Sequence, residues 1–185
     1  MKHIKMAALG LGLVVAASAS ADTGLITFLG TVSNMTCVVS GGSGSNGAFA
    51  NFSVSLDPVL TSTLNASGKT ANRKGYEVTF SDGKGGSCAS ATITKAHFRF
   101  VGSSPSVNID GRMKNVLGFT GAQNVEMQML DDGNNLINLT NHARKDVTLA
   151  TTGPTSLKFG VQYYATGVAT AGNFRSDVIY EAYYD

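Results

Sequence analysis

The sequence predicts an all-β fold, either a sandwich or a barrel, from three observations. Short segments in which apolar and polar residues alternate recur along the chain, and clusters of turn-forming residues separate them. No segment shows a convincing helical pattern. Glycine is abundant, with 22 residues, whereas charged residues make up only 14% of the chain, a composition that suits strands joined by tight turns. We therefore expect about eight or nine short strands in one domain.

The first 21 residues are expected to be a secretory signal peptide and not part of the fold. Lys2 and Lys5 give a positive start, an uncharged apolar run follows over 6–17, and Ala19-Ser20-Ala21 matches an A-x-A cleavage site. The apolar run is too short for a membrane span, which needs about 20 apolar residues. Cleavage is predicted before Asp22, with cleavage after Ala19 as the alternative.

The charge balance argues against a nucleic-acid partner. The full sequence has 14 Lys and Arg against 12 Asp and Glu, and loss of the two lysines of the leader makes the two numbers equal. A nucleic-acid-binding domain normally carries a basic excess on one face. The charge pattern gives no indication of an anionic membrane surface as a partner either.

The first predicted strand lies within residues 24–37. Ile26, Phe28 and Val32 form one apolar face, and Gly30 leaves a notch in the middle of it. Glycine inside a strand often marks a place where another backbone approaches closely. Two interpretations follow: an ordinary first strand of a sandwich, or a strand that completes the fold of another molecule.

The two cysteines, Cys37 and Cys88, are expected to form a disulfide. An exported chain with an even number of cysteines most simply has them paired. The competing interpretations are a metal site and a reactive thiol. A metal site needs further ligands at suitable spacing, and His97 and His142 do not lie near either cysteine in a CxxC-like pattern.

Further strands are predicted wherever the alternation resumes. Between them lie a Gly/Ser/Asn-rich loop at 41–47, an irregular crossover at 61–74 and a small-residue loop at 166–173. In the last strand, Tyr180, Ala182 and Tyr184 share one face. The predicted strands, including a short edge segment at 107–109, cover residues 48–56, 76–81, 92–101, 107–109, 125–130, 146–149, 157–164 and 178–184.

The motifs that could carry chemistry have plainer structural explanations. The acidic cluster at 131–135 resembles a calcium loop only superficially, because its neighbours are strands and its spacing is wrong for an EF-hand. A hairpin turn in which Asp132-Gly133 supplies the positive φ is favoured instead. The glycine-rich loop lacks the following helix of a phosphate-binding loop, and no Gly-x-Ser-x-Gly elbow occurs in a strand-to-helix context. We expect neither an enzyme, nor a cofactor, nor a metal.

Four motifs follow one another along the mature chain: Ile26-x-Phe28-x-Gly30-x-Val32 with Cys37 after it, the run Gly-Ala-Gln-Asn-Val-x-Met at 121–127, the run Val-Gln-Tyr-Tyr-Ala-Thr-Gly at 161–167, and a last strand with Gly172 ahead of it and Tyr184 as the penultimate residue. Together they resemble the structural subunits of chaperone–usher fimbriae, the type 1 and type 3 pilin group of Gram-negative bacteria. The departures from that pattern are the small Ala182, the loop at 41–47 and the long cysteine spacing.

The resemblance implies an immunoglobulin-like β-sandwich that lacks its last strand. It divides the chain into a signal peptide at 1–21, a donor-strand extension at 22–35 and a pilin domain at 36–185. The donor residues are Ile26, Phe28, Gly30 and Val32. The acceptor groove lies along the C-terminal strand, with its expected residues Gly172, Val178, Tyr180, Ala182 and Tyr184.

The implied partners are a periplasmic chaperone that fills the groove first, an outer-membrane usher, and the donor strand of the next subunit. The implied location is a fimbria on the outer surface of a Gram-negative bacterium, where it supports adhesion. A tip adhesin requires an extra lectin domain, for which the mature chain has no room. The alternative is a monomeric secreted β-sandwich that binds a ligand, in which residues 22–33 pair within their own chain.

Overall fold

The computed structural model describes residues 37–46, 49–141 and 144–185, so the expected leader and donor residues lie outside it. The described ranges contain two single 3₁₀ turns and no α-helix, and therefore no helix that could span a membrane. The nine strands are β1 (Val38–Gly41), β2 (Thr70–Ser81), β3 (Lys95–Phe100), β4 (Met113–Lys114), β5 (Val125–Asp131), β6 (Leu136–Ile137), β7 (Arg144–Thr148), β8 (Thr155–Ala165) and β9 (Tyr180–Tyr184).

The strands form two sheets, and every pairing is antiparallel. The larger sheet has the order β1-β2-β8-β5-β4, with β6 also paired to β5. The smaller sheet has the order β7-β3-β9. Sequence neighbours are often not sheet neighbours, as expected of a sandwich whose connections cross from one sheet to the other. The predicted all-β class is confirmed.

An aromatic core joins the two sheets. Phe98 on β3 lies 5.5 Å from Phe159 on β8 and 6.4 Å from Phe80 on β2, measured between ring centroids. These side chains are at most 3% exposed. Full burial of each such ring contributes roughly 1.5–3 kcal/mol relative to exposure, so these contacts hold the sheets face to face.

Cys37 and Cys88 form a disulfide, as predicted, with Cα atoms 4.9 Å apart across 51 residues of sequence. Cys37 directly precedes β1, and Cys88 lies in the connection from β2 to β3. The bond therefore ties the first described residue of the chain to the segment that leads into the smaller sheet.

The structure corrects the strand predicted over 48–56. Residues 49–56 make only isolated bridges, from Phe49 to Ser40 and from Ser53 to Asn46, and Ala50 has a positive φ of 65°. Alternation indicates an extended backbone, yet a ladder also needs a partner strand. Among the described residues, its bridge to β1 at Phe49 does not continue into a ladder, and no other strand pairs with it.

Two turn predictions are also corrected. Residues 70–74 are not a crossover but the first part of β2, paired with β8 around an irregularity between Ala71 and Lys74. The turn after β5 is a hairpin, as predicted, but its positive φ belongs to Asn134, at 67°, and not to Gly133. Asparagine tolerates this conformation better than most residues. The last strand begins at Tyr180, and the edge segment at 107–109 makes only a single bridge at Val107.

Candidate functional site

The C-terminal strand β9 lies at the edge of the smaller sheet. Within the described ranges it pairs only with β3, and the register places Tyr184 opposite Ala96 and Tyr180 opposite Phe100. At an edge, one row of backbone N–H and C=O groups has no neighbouring strand. The side of β9 that faces away from β3 is therefore open to another strand.

The hydrogen bonds show which residues offer their backbone groups to this open side. The amide of Val101 donates to the carbonyl of Ile179 at 2.8 Å, and the amide of Lys95 donates to that of Asp185, also at 2.8 Å. Residues in an antiparallel ladder bond alternately to one side and to the other. Odd-numbered residues of β9 thus bond to β3, and even-numbered residues point their backbone groups outwards.

The same parity continues upstream of β9. The Arg175 carbonyl accepts from the amide of Val116 at 2.8 Å, and the Ile179 amide donates to Oγ of Ser104 at 2.9 Å. The open edge therefore runs from Phe174 to Tyr184. At about 3.3 Å per residue its length is about 33 Å.

Beside this edge lies an apolar groove of about 630 Å³. Its far rim is the segment 50–56, where Phe52, Val54 and Leu56 alternate with exposed residues and are half-buried. The near rim is the segment 174–180. Apolar side chains from both sheets form the floor, namely Tyr76, Phe100, Met113, Met127, Met129 and Val161. An open apolar groove beside an unpaired strand edge has the shape that one further strand would fill.

Tyr180 reaches across the groove. Its ring centroid lies 5.2 Å from that of Phe98 and 5.8 Å from that of Phe52 on the far rim. Its hydroxyl donates to the carbonyl of Ala50 at 2.6 Å, and the amide of Ala50 donates to the carbonyl of Val39 at 2.9 Å. Burial raises the pKa of the Tyr180 hydroxyl, which therefore stays protonated and able to donate. The side chain of Tyr180 therefore spans the groove from the near rim to the far rim at this point along the edge.

The other side chains on the near rim differ in size and polarity. Tyr184 packs edge-on against Phe80 at 6.2 Å, and burial raises its pKa to about 12. Ala182, between the two tyrosines, fills little space. Ser176 lines the groove near its other end, and its hydroxyl oxygen is buried without a hydrogen-bond partner among the described residues. A buried hydroxyl without a partner is costly, so Ser176 is suited to a polar group on an occupant of the groove.

Gly172 acts at the start of the edge and not in the groove. A Cβ at this position would lie 2.6 Å from the amide nitrogen of Ala122, closer than real atoms approach. The Ala122 amide in turn donates to the carbonyl of Asn173 at 2.9 Å. Glycine therefore lets the chain pass tightly against residues 121–122 before the edge begins.

The outer face of the smaller sheet is charged. Nδ1 of His97 lies 2.9 Å from Asp146, and Nε2 lies 3.0 Å from Asp185, the last residue of the chain. Hydrogen bonds with Asp146 and then Asp185 raise the pKa of His97. Two residues further along β3, Arg99 forms an ion pair with Glu181, the residue directly opposite it on β9. In the part of the chain that the structure describes, no group of three or more His, Cys, Asp or Glu side chains could hold a metal ion.

The structure brings four of the five predicted acceptor residues onto one edge. Val178, Tyr180, Ala182 and Tyr184 are partly buried against the same core, whereas Gly172 shapes the approach to them. Sequence reasoning missed the far rim and the upstream residues Phe174 and Ser176. Burial alternates from residue 174 onwards and continues the pattern of β9. Extending the period-two pattern of the last strand upstream to residue 174 would have found Phe174 and Ser176. The predicted donor residues Ile26, Phe28, Gly30 and Val32 lie outside the described residues.

Curated relatives match nearly the whole chain. The sequence is 33% identical over 184 residues to the F17 fimbrial protein of Escherichia coli, covering 94% of this chain and 96% of the relative. It is 30% identical over 175 residues to the major fimbrial subunit SMF-1 of Stenotrophomonas maltophilia, covering 91% and 96%. No protein-family model matches the sequence.

A solved structure shares the fold. A chain from a chaperone–usher pilus aligns with a TM-score of 0.58 at 18% identity, covering 92% of this chain and all of the other. This likeness confirms the predicted incomplete immunoglobulin-like sandwich.

Proposed function

This chain belongs to the family of fimbrial structural subunits, and on that premise we propose that it polymerises by donor-strand exchange: the groove of one copy takes up residues 22–35 of the next. The observation that carries the proposal is the open edge from Phe174 to Tyr184, which lies beside an apolar groove whose far rim belongs to no strand of the described residues. The chain is a structural subunit and not an enzyme.

The predicted donor strand supplies what this groove lacks. Burial of Ile26, Phe28 and Val32 contributes roughly 1.5–3 kcal/mol each, about 5–9 kcal/mol together before ordering costs. Hydrogen bonds to the outward-facing backbone groups of the edge add to this. The extension of each subunit fills the groove of another and leaves its own groove open, so the contact does not close on itself and generates a filament.

The same groove explains the need for assembly partners. An exposed strand edge beside an apolar groove is an aggregation hazard. We propose that a periplasmic chaperone fills the groove after export, that an outer-membrane usher exchanges the chaperone for the next subunit, and that the resulting surface fimbria supports adhesion. The exposed edge and the predicted signal peptide support this route.

The experiment expresses the full chain with its native assembly partners and examines surface material on denaturing gels with and without boiling. Fimbriae give a ladder of multimers that collapses only on boiling. The variant Ile26→Asp/Phe28→Asp is expected to abolish the ladder. The matched control is Leu60→Asp/Ile109→Asp, which places the same two charges at side chains that are 74% and 93% exposed and is expected to keep the ladder. A single monomer band from the unaltered chain would contradict the proposal and favour a monomeric ligand-binding protein.

A further inference from the structure

All the methionines in the described ranges line one place, the floor of the apolar groove. Met127 and Met129 lie on the same face of β5, and Met113 on β4 is directly opposite Met127. The other methionines of the sequence are two in the predicted leader and Met35 in the predicted donor extension. The thioether sulfurs of the described residues are therefore concentrated in a single cluster.

The three side chains of this cluster differ in access. Met113 is 4% exposed and Met129 is 3% exposed, whereas Met127 is half-buried and lines the groove. The sulfur of Met129 also accepts a hydrogen bond from the hydroxyl of Tyr76 at 3.1 Å, which occupies one of its lone pairs. Met127 is therefore the methionine that a small molecule in the open groove reaches first.

The side chains that compete with methionine for an oxidant are few in this chain. The sequence has no tryptophan, and its two cysteines are joined in the disulfide. Hydrogen peroxide transfers one oxygen atom to a thioether: the sulfur–oxygen bond forms as the oxygen–oxygen bond breaks. The sulfur is oxidised to a sulfoxide by two electrons, and the departing hydroxide takes up the remaining proton and leaves as water.

We propose that the floor of the groove is a site of reversible methionine oxidation, in which a peroxide converts Met127 to its sulfoxide while the groove is unoccupied and thereby blocks the uptake of an apolar strand. Met113 and Met129 react more slowly at the same site. The oxidation itself depends only on the open groove, whereas its effect on assembly rests on the proposed function.

The block follows from the polarity of the product. A sulfoxide oxygen accepts hydrogen bonds, and water provides them while the groove is open. An apolar strand that enters the groove displaces this water and covers the oxygen with apolar side chains. A buried polar group without a partner is costly, so the oxidised floor disfavours the same strand that the thioether floor accepts.

The same geometry makes the modification specific for one state of the subunit. A strand seated in the groove covers Met127 and keeps peroxide away from its sulfur. Oxidation therefore marks subunits whose groove is empty and leaves assembled subunits unchanged. Reduction of the sulfoxide returns the marked subunit to its original state.

The first test adds hydrogen peroxide to the purified full chain before assembly and to finished fimbriae. Peptide mass spectrometry follows the formation of sulfoxide at each methionine over time. In the unassembled chain, Met127 is expected to react about tenfold faster than Met113 and Met129, because oxidation follows exposure. In fimbriae its rate is expected to fall to about that of the other two. Equal rates at the three positions in the unassembled chain would overturn the proposal.

The second test measures the effect on assembly. Subunits are treated with peroxide, freed of it with catalase and allowed to polymerise, and each chain is compared with its own untreated sample. Peroxide is expected to reduce the heat-sensitive ladder about tenfold in the unaltered chain and in the matched control Met35→Leu. In Met127→Leu, a change that nearly conserves volume, the treated and untreated samples are expected to agree. Methionine sulfoxide reductases are expected to restore the ladder of the oxidised unaltered chain.

The outcomes separate this inference from the proposed function. Fast oxidation at Met127, with protection by Met127→Leu or recovery by the reductases, supports the proposal. A ladder that survives oxidation of Met127, or one that Met35→Leu protects and Met127→Leu does not, overturns it while polymerisation by strand exchange stands. Fast oxidation at Met127 in an unaltered chain that forms no ladder even without peroxide overturns the proposed function and leaves the oxidation site in place.

Discussion

Nε2 of His97 lies 3.0 Å from a carboxylate oxygen of Asp185, so the buried ring in β3 holds the last residue of the chain. Its other nitrogen lies 2.9 Å from Asp146 on β7, and Arg144 also contacts this nitrogen. Hydrogen bonds with Asp146 and then Asp185 raise the pKa of His97, against the opposing effects of burial and of the charge on Arg144. This arrangement joins all three strands of the smaller sheet on their outer face.

The pH dependence of stability follows from the direction of this shift. A histidine whose pKa is raised on folding contributes stability that is fully present below its unfolded pKa of about 6.5. That contribution is lost as the pH rises through the raised pKa of the folded state. We expect the thermal midpoint to fall between about pH 6 and pH 8, and His97→Gln to remove this step.

The measurement is near-UV circular dichroism on the full chain during heating at a series of pH values. His142→Gln is the matched control and is expected to leave the step in place. Hydrogen bonds with Arg144 and then His97 lower the pKa of Asp146, so this carboxylate changes the stability only at acidic pH. Its contribution is lost only as the pH falls below about 4. A midpoint that is flat between pH 6 and pH 8 in the unaltered chain would contradict the role of His97.

The tight passage at Gly172 predicts a stability difference between two glycine substitutions. Gly172→Ala places a Cβ 2.6 Å from a backbone nitrogen, and we expect a loss of about 1–3 kcal/mol in the free energy of unfolding. Gly75→Ala is the control, because its Cβ meets nothing closer than 3.9 Å, and a change within about 0.5 kcal/mol is expected. Urea unfolding of both variants measures the difference. Equal effects would mean that the chain at 172 relaxes freely.

Removal of the disulfide is expected to lower stability substantially. Cys37→Ala/Cys88→Ala frees a 51-residue loop in the unfolded chain, which costs about 4 kcal/mol in the chain-entropy model. Urea unfolding of the variant and of the reduced unaltered chain provides the measurement. The two are expected to agree within about 1 kcal/mol. A loss much smaller than this in both would indicate that the unfolded chain is already restricted.

The notch in the predicted donor strand leads us to expect opposite results for two adjacent positions. Gly30→Leu is expected to abolish the heat-sensitive ladder, because a leucine side chain would fill the notch that lets the predicted donor backbone approach the groove closely. Thr31→Leu introduces the same side chain on the other face of the predicted strand and is expected to assemble. Normal assembly of Gly30→Leu would remove the argument that the notch is required.

Strongly alternating segments allowed the fold to be predicted from the sequence. The alternating apolar residues of β2 and β5 indicated strands because a period of two matches the pleat of a sheet. These residues are Tyr76, Val78 and Phe80 in β2, and Val125 and Met129 in β5. The first part of β2 escaped prediction because its polar residues are held by pairing with Tyr163 and Tyr164 far along the chain. Such tertiary pairing overrides local propensity.

The site was only partly predictable for the same reason. The apolar stripe of the last strand is local and was found. The hydroxyl of Tyr180 meets the carbonyl of Ala50 across 130 residues of sequence, and no local pattern encodes such a contact. The far rim was read as a ladder strand because its alternation is genuine, although among the described residues it borders the open groove.

The disulfide also has a mechanical consequence for a fibre. Tension that arrives at Cys37 from the chain before it can pass through the sulfur–sulfur bond directly to Cys88. From there a short connection leads to Lys95 and into β3, the strand on which β9 lies. The force therefore passes through the disulfide and the ladder between β3 and β9. It does not act on the four-residue pairing of β1 with β2.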